Sequence, residues 1–277
     1  MQRIHSVADL HAALAGARSS VLVPTMGNLH EGHLQLVRHA GSLGAPVVAS
    51  VFVNRLQFGV GEDFDRYPRT LDDDATALAG AGCDILFAPD ERELYPHPQQ
   101  ILIQPPPEAD QLCGAHRAGH FAGVLTVVNK LFNLVQPAAA VFGEKDFQQL
   151  WLIRSMVAQL AMPVRVVGHP TARADDGLAL SSRNRYLSAA ERTEAPQLYQ
   201  ALCRVRDLAC GGHWDPQALA AGAERELEAR GWRVDYVALR DAVSLREPDA
   251  RTRDWVVLAA ARLGDTRLID NLMFRRL

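Results

Sequence analysis

Lysine is nearly missing from this 277-residue chain: Lys130 and Lys145 stand alone against 27 arginines. A guanidinium fork and a compact ammonium on a flexible stem are different tools, so each lysine poses a question, with compositional bias as the plain alternative. Cysteine is sparse too. Cys83, Cys113, Cys203 and Cys210 form no C-x-x-C pair and no metal-ligand spacing, which speaks against a disulfide framework and for reduced thiols in a cytosolic protein. No apolar run approaches the roughly 18–20 residues of a membrane span, and Met1–Ser6 has no apolar signal-peptide core. A soluble, cytoplasmic protein with no membrane partner is therefore expected. The net charge of −3 offers no excess of basic surface for nucleic acid. Apolar residues are plentiful at 48%, enough for the core of one large or two modest domains.

Up to about residue 170, strand-like and helix-like segments alternate. Short apolar, often β-branched runs at Val21–Val23, Val47–Val53, Asp84–Ala88, Ala139–Phe142 and Val164–Val167 read as strands buried on both faces. Helical patterns lie between them at Gly32–Ala40, Thr70–Ala81, Gly123–Val135 and Phe147–Leu160. This order predicts an α/β fold with a doubly wound parallel sheet, whose ligands bind beyond the carboxyl ends of strands. The proline-rich stretch from Pro89 to Gln111 reads as a surface connection, with a short strand at Ile101–Ile103. Beyond Ala172 the pattern changes. Ser188 and Glu191 form a capping box, Pro196 marks a kink or break, Asp215-Pro216 opens a helix running to about Arg230, and Val234–Leu239, Trp255–Arg262 and Leu268–Asp270 read as strands. The expected division is 1–171 for a first domain and 172–277 for a smaller α+β domain.

Five motifs carry chemistry. Pro24-Thr25-Met26-Gly27-Asn28-Leu29-His30-Glu31-Gly32-His33 follows a strand and opens a helix. The first N–H groups of a helix lack intrahelical partners and attract anions, and residues three apart share a face. Two surface histidines and a His-based metal site are the other readings, the latter without a third ligand in the sequence. Asn54 and Gln57 end the second strand, as neutral ligands for a polar molecule or as simple strand caps. In Gly143-Glu144-Lys145-Asp146, one of the two lysines sits between strand and helix, where a phosphate contact is natural, with Gln149 a turn further on. Ser181-Ser182-Arg183 follows a glycine turn and suits a triphosphate tail or an ordinary loop. Arg117–Thr126 reads as a substrate-facing loop or a flexible helix entry. The run Asp72-Asp73-Asp74 reads as a neighbour of Mg²⁺ or as ordinary acidic residues of a first helical turn.

These motifs, in this order, resemble the pantothenate synthetase (pantoate–β-alanine ligase) family. The matching segments run from about residue 23 to 187 and include Val-Phe-Val-Asn-x-x-Gln-Phe, Tyr-Pro-Arg-Thr-Leu, Gly-His-Phe-x-Gly-Val, Phe-Gly-Glu-Lys-Asp-Phe-Gln-Gln-Leu and Asp-Gly-Leu-Ala-Leu-Ser-Ser-Arg-Asn. The resemblance implies a Rossmann-like domain of the nucleotidyltransferase and class I synthetase type, binding ATP and pantoate, a C-terminal lid domain and a homodimer. It implies condensation of pantoate with β-alanine, using ATP and Mg²⁺, through a pantoyl adenylate, with release of AMP and pyrophosphate. It further implies catalytic roles for His33, His30 and Lys145, with His33 as proton donor. ATP contacts are implied for Met26, Gly27, Asn28, Leu29, His30, Glu31, Gly32, His33, Gly143, Glu144, Lys145, Asp146, Ala172, Leu180, Ser181, Ser182 and Arg183, and pantoate contacts for Gln57 and Gln149. Metal ligands stay open.

Two departures stand out: Arg55 replaces the family's usual proline after the strand-end Asn, and His169 replaces the second valine of Val-Gly-Val-Pro. The first puts loop stiffness in question; the second is either near the adenine edge or a surface replacement. An adenylyltransferase that stops after AMP transfer, and a non-catalytic nucleotide-binding regulator, are the rival readings.

Overall fold

The computed structural model describes residues 1–59, 61, 62 and 64–276. It resolves into two compact units: Met1–Asp110 with Arg117–Glu144 and Gln149–Pro170, and Gln111–His116 with Lys145–Gln148 and Thr171–Leu277. Two short segments that a linear division at residue 171 gives to the first domain thus join the second unit.

The first unit is a six-stranded, all-parallel sheet in the order β1-β4-β3-β2-β5-β6. Its strands are β1 (Gln2–Ile4), β2 (Val21–Thr25), β3 (Val47–Val51), β4 (Ile85–Phe87), β5 (Ala139–Gly143) and β6 (Arg165–His169). The helices are α1 (Val7–Ala13), α2 (Glu31–Gly41), α3 (Leu71–Gly80), the short α4 (Glu91–Leu94), α5 (His120–Val135) and α6 (Phe147–Gln159), whose first two residues lie in the second unit. Val21, Leu22 and Val23 are all fully buried, as the unbroken apolar run requires of a central strand with both faces covered. Val21, Val23, Val47, Ala49 and Val141 pack with Leu36, Val37, Ala75 and Leu78 of α2 and α3. The chain runs from β2 to β3 on one side and returns to β5 on the other, so the strand order reverses between β2 and β5. That switch point is where open α/β sheets place a ligand crevice.

The expected strands and helices are present, with ends shifted by a few residues. Ile101–Ile103 is the exception: it forms no strand, and the Ile103 N–H donates instead to Thr126 Oγ1 of α5 at 3.0 Å. Prolines at 105, 106 and 107 lack the N–H groups a strand would need to continue.

The second unit packs α8 (Gln197–Cys210) and α9 (Pro216–Ala229), preceded by the short α7 (Ala189–Glu194), on an antiparallel sheet β7-β8-β9. Its strands are Arg233–Asp241, Asp254–Leu263 and Thr266–Arg275. Trp255, Val257, Ala259 and Ala261, spaced by two along β8, meet Leu198, Leu202, Leu219 and Leu227 in one core. The helix starts follow the sequence signals. Ser188 and Glu191 cap α7 reciprocally, and Asp215 Oδ1 accepts the N–H groups of Gln217 and Ala218 at 3.0 Å each ahead of α9.

Candidate active site

At the end of β2 the chain turns sharply into α2. Gly27 and Asn28 both take left-handed backbone conformations, with φ of +80° and +51°. Gly27 needs its missing side chain: a Cβ would lie 2.9 Å from Asp74 Oδ2 and 3.0 Å from Val51. Asp74, almost fully buried, braces this turn. Its Oδ2 accepts the Asn28 N–H at 2.9 Å and its Oδ1 the Leu29 N–H at 2.8 Å, while the Thr70 hydroxyl donates to Oδ2 at 3.2 Å. The sequence reading missed this role, because a third Asp in a first helical turn looks unremarkable. Asp72, in the same turn, pairs with Arg3 at 2.7 Å on the surface. The Asn28 side chain is itself buried, and neither of its polar atoms has a hydrogen-bond partner among the described residues, a situation that calls for a water or ligand group.

His30 and His33 cap α2 reciprocally. His30 Nδ1 accepts the Gly32 N–H at 3.1 Å, and His33 Nδ1 accepts the His30 N–H at 3.3 Å. Their rings lie 4.1 Å apart between centroids. Because Nδ1 of each ring is an acceptor, a neutral imidazole at either position carries its proton on Nε2. Two neighbouring Nε2–H donors at a helix N-terminus, reinforced by the helix dipole, suit phosphate oxygens. Glu31, between them in sequence, is half-exposed and bound to Arg38 at 2.5 Å.

Gln57 lies in a short 3₁₀ turn, Arg55–Gln57, after β3, and is buried. Asn54 Nδ2 donates to Gln57 Oε1 at 3.1 Å, which leaves the Gln57 NH₂ directed elsewhere: Nε2 approaches Met26 Sδ at 3.0 Å. Asn54 is held in turn, donating to the Gly123 carbonyl at 3.1 Å and accepting the Tyr95 hydroxyl at 3.0 Å. Burial raises the Tyr95 hydroxyl well above its ordinary range, so it remains a donor. The Lys130 ammonium sits 4.4 Å from the Tyr95 ring centre and donates to the carbonyl of Leu94 at 2.6 Å and to Gln99 at 3.1 Å. One of the two lysines thus braces Tyr95 behind the Asn54–Gln57 turn. Gly123 is also required, since a Cβ there would collide with the backbone of Leu56.

His120 Nδ1 bonds the Gln57 carbonyl at 2.8 Å, and its Nε2 meets Arg117 Nη1 at 2.9 Å. Arg117 also grips Glu62 through two bonds of 2.6 and 2.7 Å. The stretch from Arg117 to Thr126 therefore supports the Gln57 turn, a connection its sequence did not disclose. Arg55, the departure from the family pattern, stacks 4.0 Å from the Phe64 ring centre and bonds Glu91 at 3.3 Å, so the turn is held without proline. His169 packs edge-on to His39 at 5.2 Å.

Gly143 ends β5 and Glu144 follows it, at the carboxyl edge of the switch point. Gln149 lies half-buried in the first turn of α6.

The second unit carries the remaining residues. Ala172 and Leu180 are joined by a 2.9 Å bond from the Leu180 N–H to the Ala172 carbonyl, closing a narrow hairpin that delivers Ser181, Ser182 and Arg183. Ser181 caps the following 3₁₀ turn, accepting the Arg183 N–H at 3.3 Å. Lys145 is half-buried in the 3₁₀ turn Glu144–Asp146, and Asp146 is exposed. Among the described residues no cluster of three His, Cys, Asp or Glu side chains forms a metal cage, and both Asp74 oxygens are occupied by the α2 turn.

The sequence profile described as pantoate-beta-alanine ligase matches residues 2–273. Pantothenate synthetase of Thiobacillus denitrificans is 58% identical over 273 residues, covering 98% of this chain and 96% of that protein. The same enzyme from Laribacter hongkongensis is 56% identical, covering 98% and 99%. The crystal structure of pantothenate synthetase from Thermus thermophilus superimposes with a TM-score of 0.93 at 47% identity, covering 98% of this chain and 99% of that one. The pantoate-beta-alanine ligase of Francisella tularensis, solved with beta-gamma ATP and beta-alanine, gives a TM-score of 0.83 at 31% identity, covering 99% and 97%.

Proposed function

The chain belongs to the pantoate–β-alanine ligase family and joins pantoate to β-alanine at the expense of ATP; we propose that it does so through a pantoyl adenylate, using the residues described above. A pantoate carboxylate oxygen attacks the α-phosphorus of ATP, the bond to the bridging oxygen breaks, and pyrophosphate leaves. The β-alanine amine then attacks the activated carbonyl carbon, the carbon–oxygen bond to AMP breaks, and the amine sheds a proton. Adenylation of this kind depends on positioning and charge neutralisation rather than on a protein nucleophile.

The observation that carries this reading is the pair of Nε2–H imidazoles capping α2 beside a sheet switch point, in the same unit as an oriented Gln57 amide. His30 and His33 donate to the ATP phosphates, with His33 supplying the proton to departing pyrophosphate. Lys145 neutralises charge near the α-phosphate, and Ser181, Ser182 and Arg183 hold the tail. Met26–Leu29, Glu31, Gly32, Gly143, Glu144, Asp146, Ala172 and Leu180 shape the nucleotide site through backbone and side chains. Gln57, its NH₂ directed by Asn54, and Gln149 bind pantoate.

Mg²⁺ would enter with the ATP phosphates held by His30, His33, Lys145 and the Ser181–Arg183 hairpin, and when bound would neutralise phosphate charge. A lid role for the domain of residues 172–277 and a cytoplasmic homodimer remain parts of the proposal.

The test is pyrophosphate release with ATP, Mg²⁺ and pantoate, with and without β-alanine. Steady AMP and pyrophosphate formation only with both acid and amine supports the reading. Release independent of pantoate favours an adenylyltransferase acting on another substrate.

A further inference from the structure

Two adjacent residues of β9, Asp270 and Asn271, are buried polar groups in the second unit to which the reaction itself gives no task. Asp270 forms a two-pronged pair with Arg173, at 2.6 and 2.9 Å. The Arg173 guanidinium lies 3.6 Å from the Tyr199 ring centre and donates to the Gly177 carbonyl at 3.0 Å and the Asn271 carbonyl at 3.2 Å. Gly177 is the turn of the hairpin whose far arm ends in Ser181, Ser182 and Arg183, and Arg173 stands in its near arm, opposite Ala179. Both terminal nitrogens of this guanidinium are thus engaged, one bracing the hairpin turn at Gly177 and both fastening the hairpin to β9, which the planar fork of arginine permits and a lysine would not.

Asn271 completes the arrangement from the next position along the strand. Its Nδ2 donates to the backbone carbonyl of Lys145 at 2.9 Å, and its N–H donates to Asp270 Oδ1 at 2.7 Å. Lys145 belongs to the same compact unit, in the short segment Lys145–Gln148, which is separated in sequence from both other segments of that unit, Gln111–His116 and Thr171–Leu277. One dipeptide therefore touches both segments of this unit that carry groups for the phosphates.

We propose that Asp270 and Asn271 are positioning residues that set Lys145 in register with the Ser181–Arg183 hairpin, so that ammonium, hydroxyls and guanidinium grip the nucleotide phosphates as one preassembled set. Neither residue touches substrate. Asp270 acts through Arg173 and the hairpin, and Asn271 through the Lys145 backbone. The proposal rests on the reading of Lys145 and the hairpin as phosphate contacts.

Asn271→Ala is the discriminating variant, because Asp270→Asn strands a buried guanidinium and risks unfolding. Steady-state constants for all three substrates, a melting curve, and the double variant Lys145→Ala/Asn271→Ala are measured on the full chain. Asn271→Ala is expected to reduce kcat/KM for ATP by about 3- to 10-fold, the size expected for one lost hydrogen bond, with little change in the KM for pantoate. On the Lys145→Ala background, the same change is expected to cost nothing further, since both act on one group. Equal losses for every substrate, or undiminished loss on the Lys145→Ala background, would reduce Asn271 to a structural strut and overturn the proposal. If Lys145→Ala alone leaves pyrophosphate formation intact, the reading of Lys145 fails first and the proposal falls with it. A neutral Asn271→Ala beside a crippled Lys145→Ala overturns the proposal while sparing that reading.

Discussion

The carboxylate of Asp74 accepts the backbone N–H of Asn28 at 2.9 Å, tying the start of α3 to the turn that presents His30 and His33. With the neighbouring bond to Leu29, it fixes the two left-handed residues that aim α2. Asp74→Ala is expected to cost about 1.5–3 kcal/mol of stability, the range for hydrogen bonds to a charged group, and to lower adenylate formation. Asp74→Asn keeps one acceptor and should fall between. A destabilised Asp74→Ala with parental kcat/KM would show that the turn keeps its shape without the carboxylate.

His33 has two tasks, and one substitution separates them. His33→Ala removes the acceptor of the His30 N–H, which should cost about 0.5–2 kcal/mol, as for other lost caps. Pyrophosphate release should fall by orders of magnitude, far beyond what that loss of stability explains. Turnover reduced only in proportion to the folded fraction would remove His33 from the chemistry.

Asn54 orients Gln57 from behind. In Asn54→Ala the Gln57 amide loses the bond that decides which of its ends faces away, so the KM for pantoate should rise several-fold while that for ATP holds. Gln57→Ala should show the same selectivity more strongly. An effect of either variant confined to ATP would mean that this pocket serves the nucleotide.

Glu62 supplies a pH signature. Burial pushes its carboxyl up, but Arg117, aided by the nearby His120, outweighs this and holds it below the usual glutamate range. A lowered folded value means that the pair's stabilisation is complete above the unfolded value and is lost as pH falls through the folded one. The difference in melting temperature between the parent and Glu62→Gln should therefore be widest near neutrality and close on acidification. A difference that stays constant into acid would point to packing rather than charge.

How much of this was readable beforehand follows from the range of each interaction. The β2–α2 turn, the capping box at Ser188 and the Asp215-Pro216 helix start are local, and a few consecutive residues declare them. The short β1, buried at Ile4 and held by pairing with β4, offers only three residues and no periodicity to read. The false strand at Ile101–Ile103 came from apolar composition without regard to where its N–H groups could go. At the site, the histidines, Lys145 and Gln57 stood out by residue type and motif. Their supports did not: Asp74 for Asn28, Tyr95 and Lys130 for Asn54, His120 for Gln57, and Asn271 for Lys145 are all partnerships across long sequence separations.

The scarcity of lysine has a practical corollary. A protease specific for lysine can cut this chain only after Lys130 and Lys145, and the fragment Leu131–Lys145 contains all of β5 and ends on the ammonium assigned to the phosphates. Any affinity reagent built on a nucleotide that captures Lys145 abolishes the second cut. Occupancy of the site then appears in a mass spectrum as a single missed cleavage, fusing that fragment to everything that follows it.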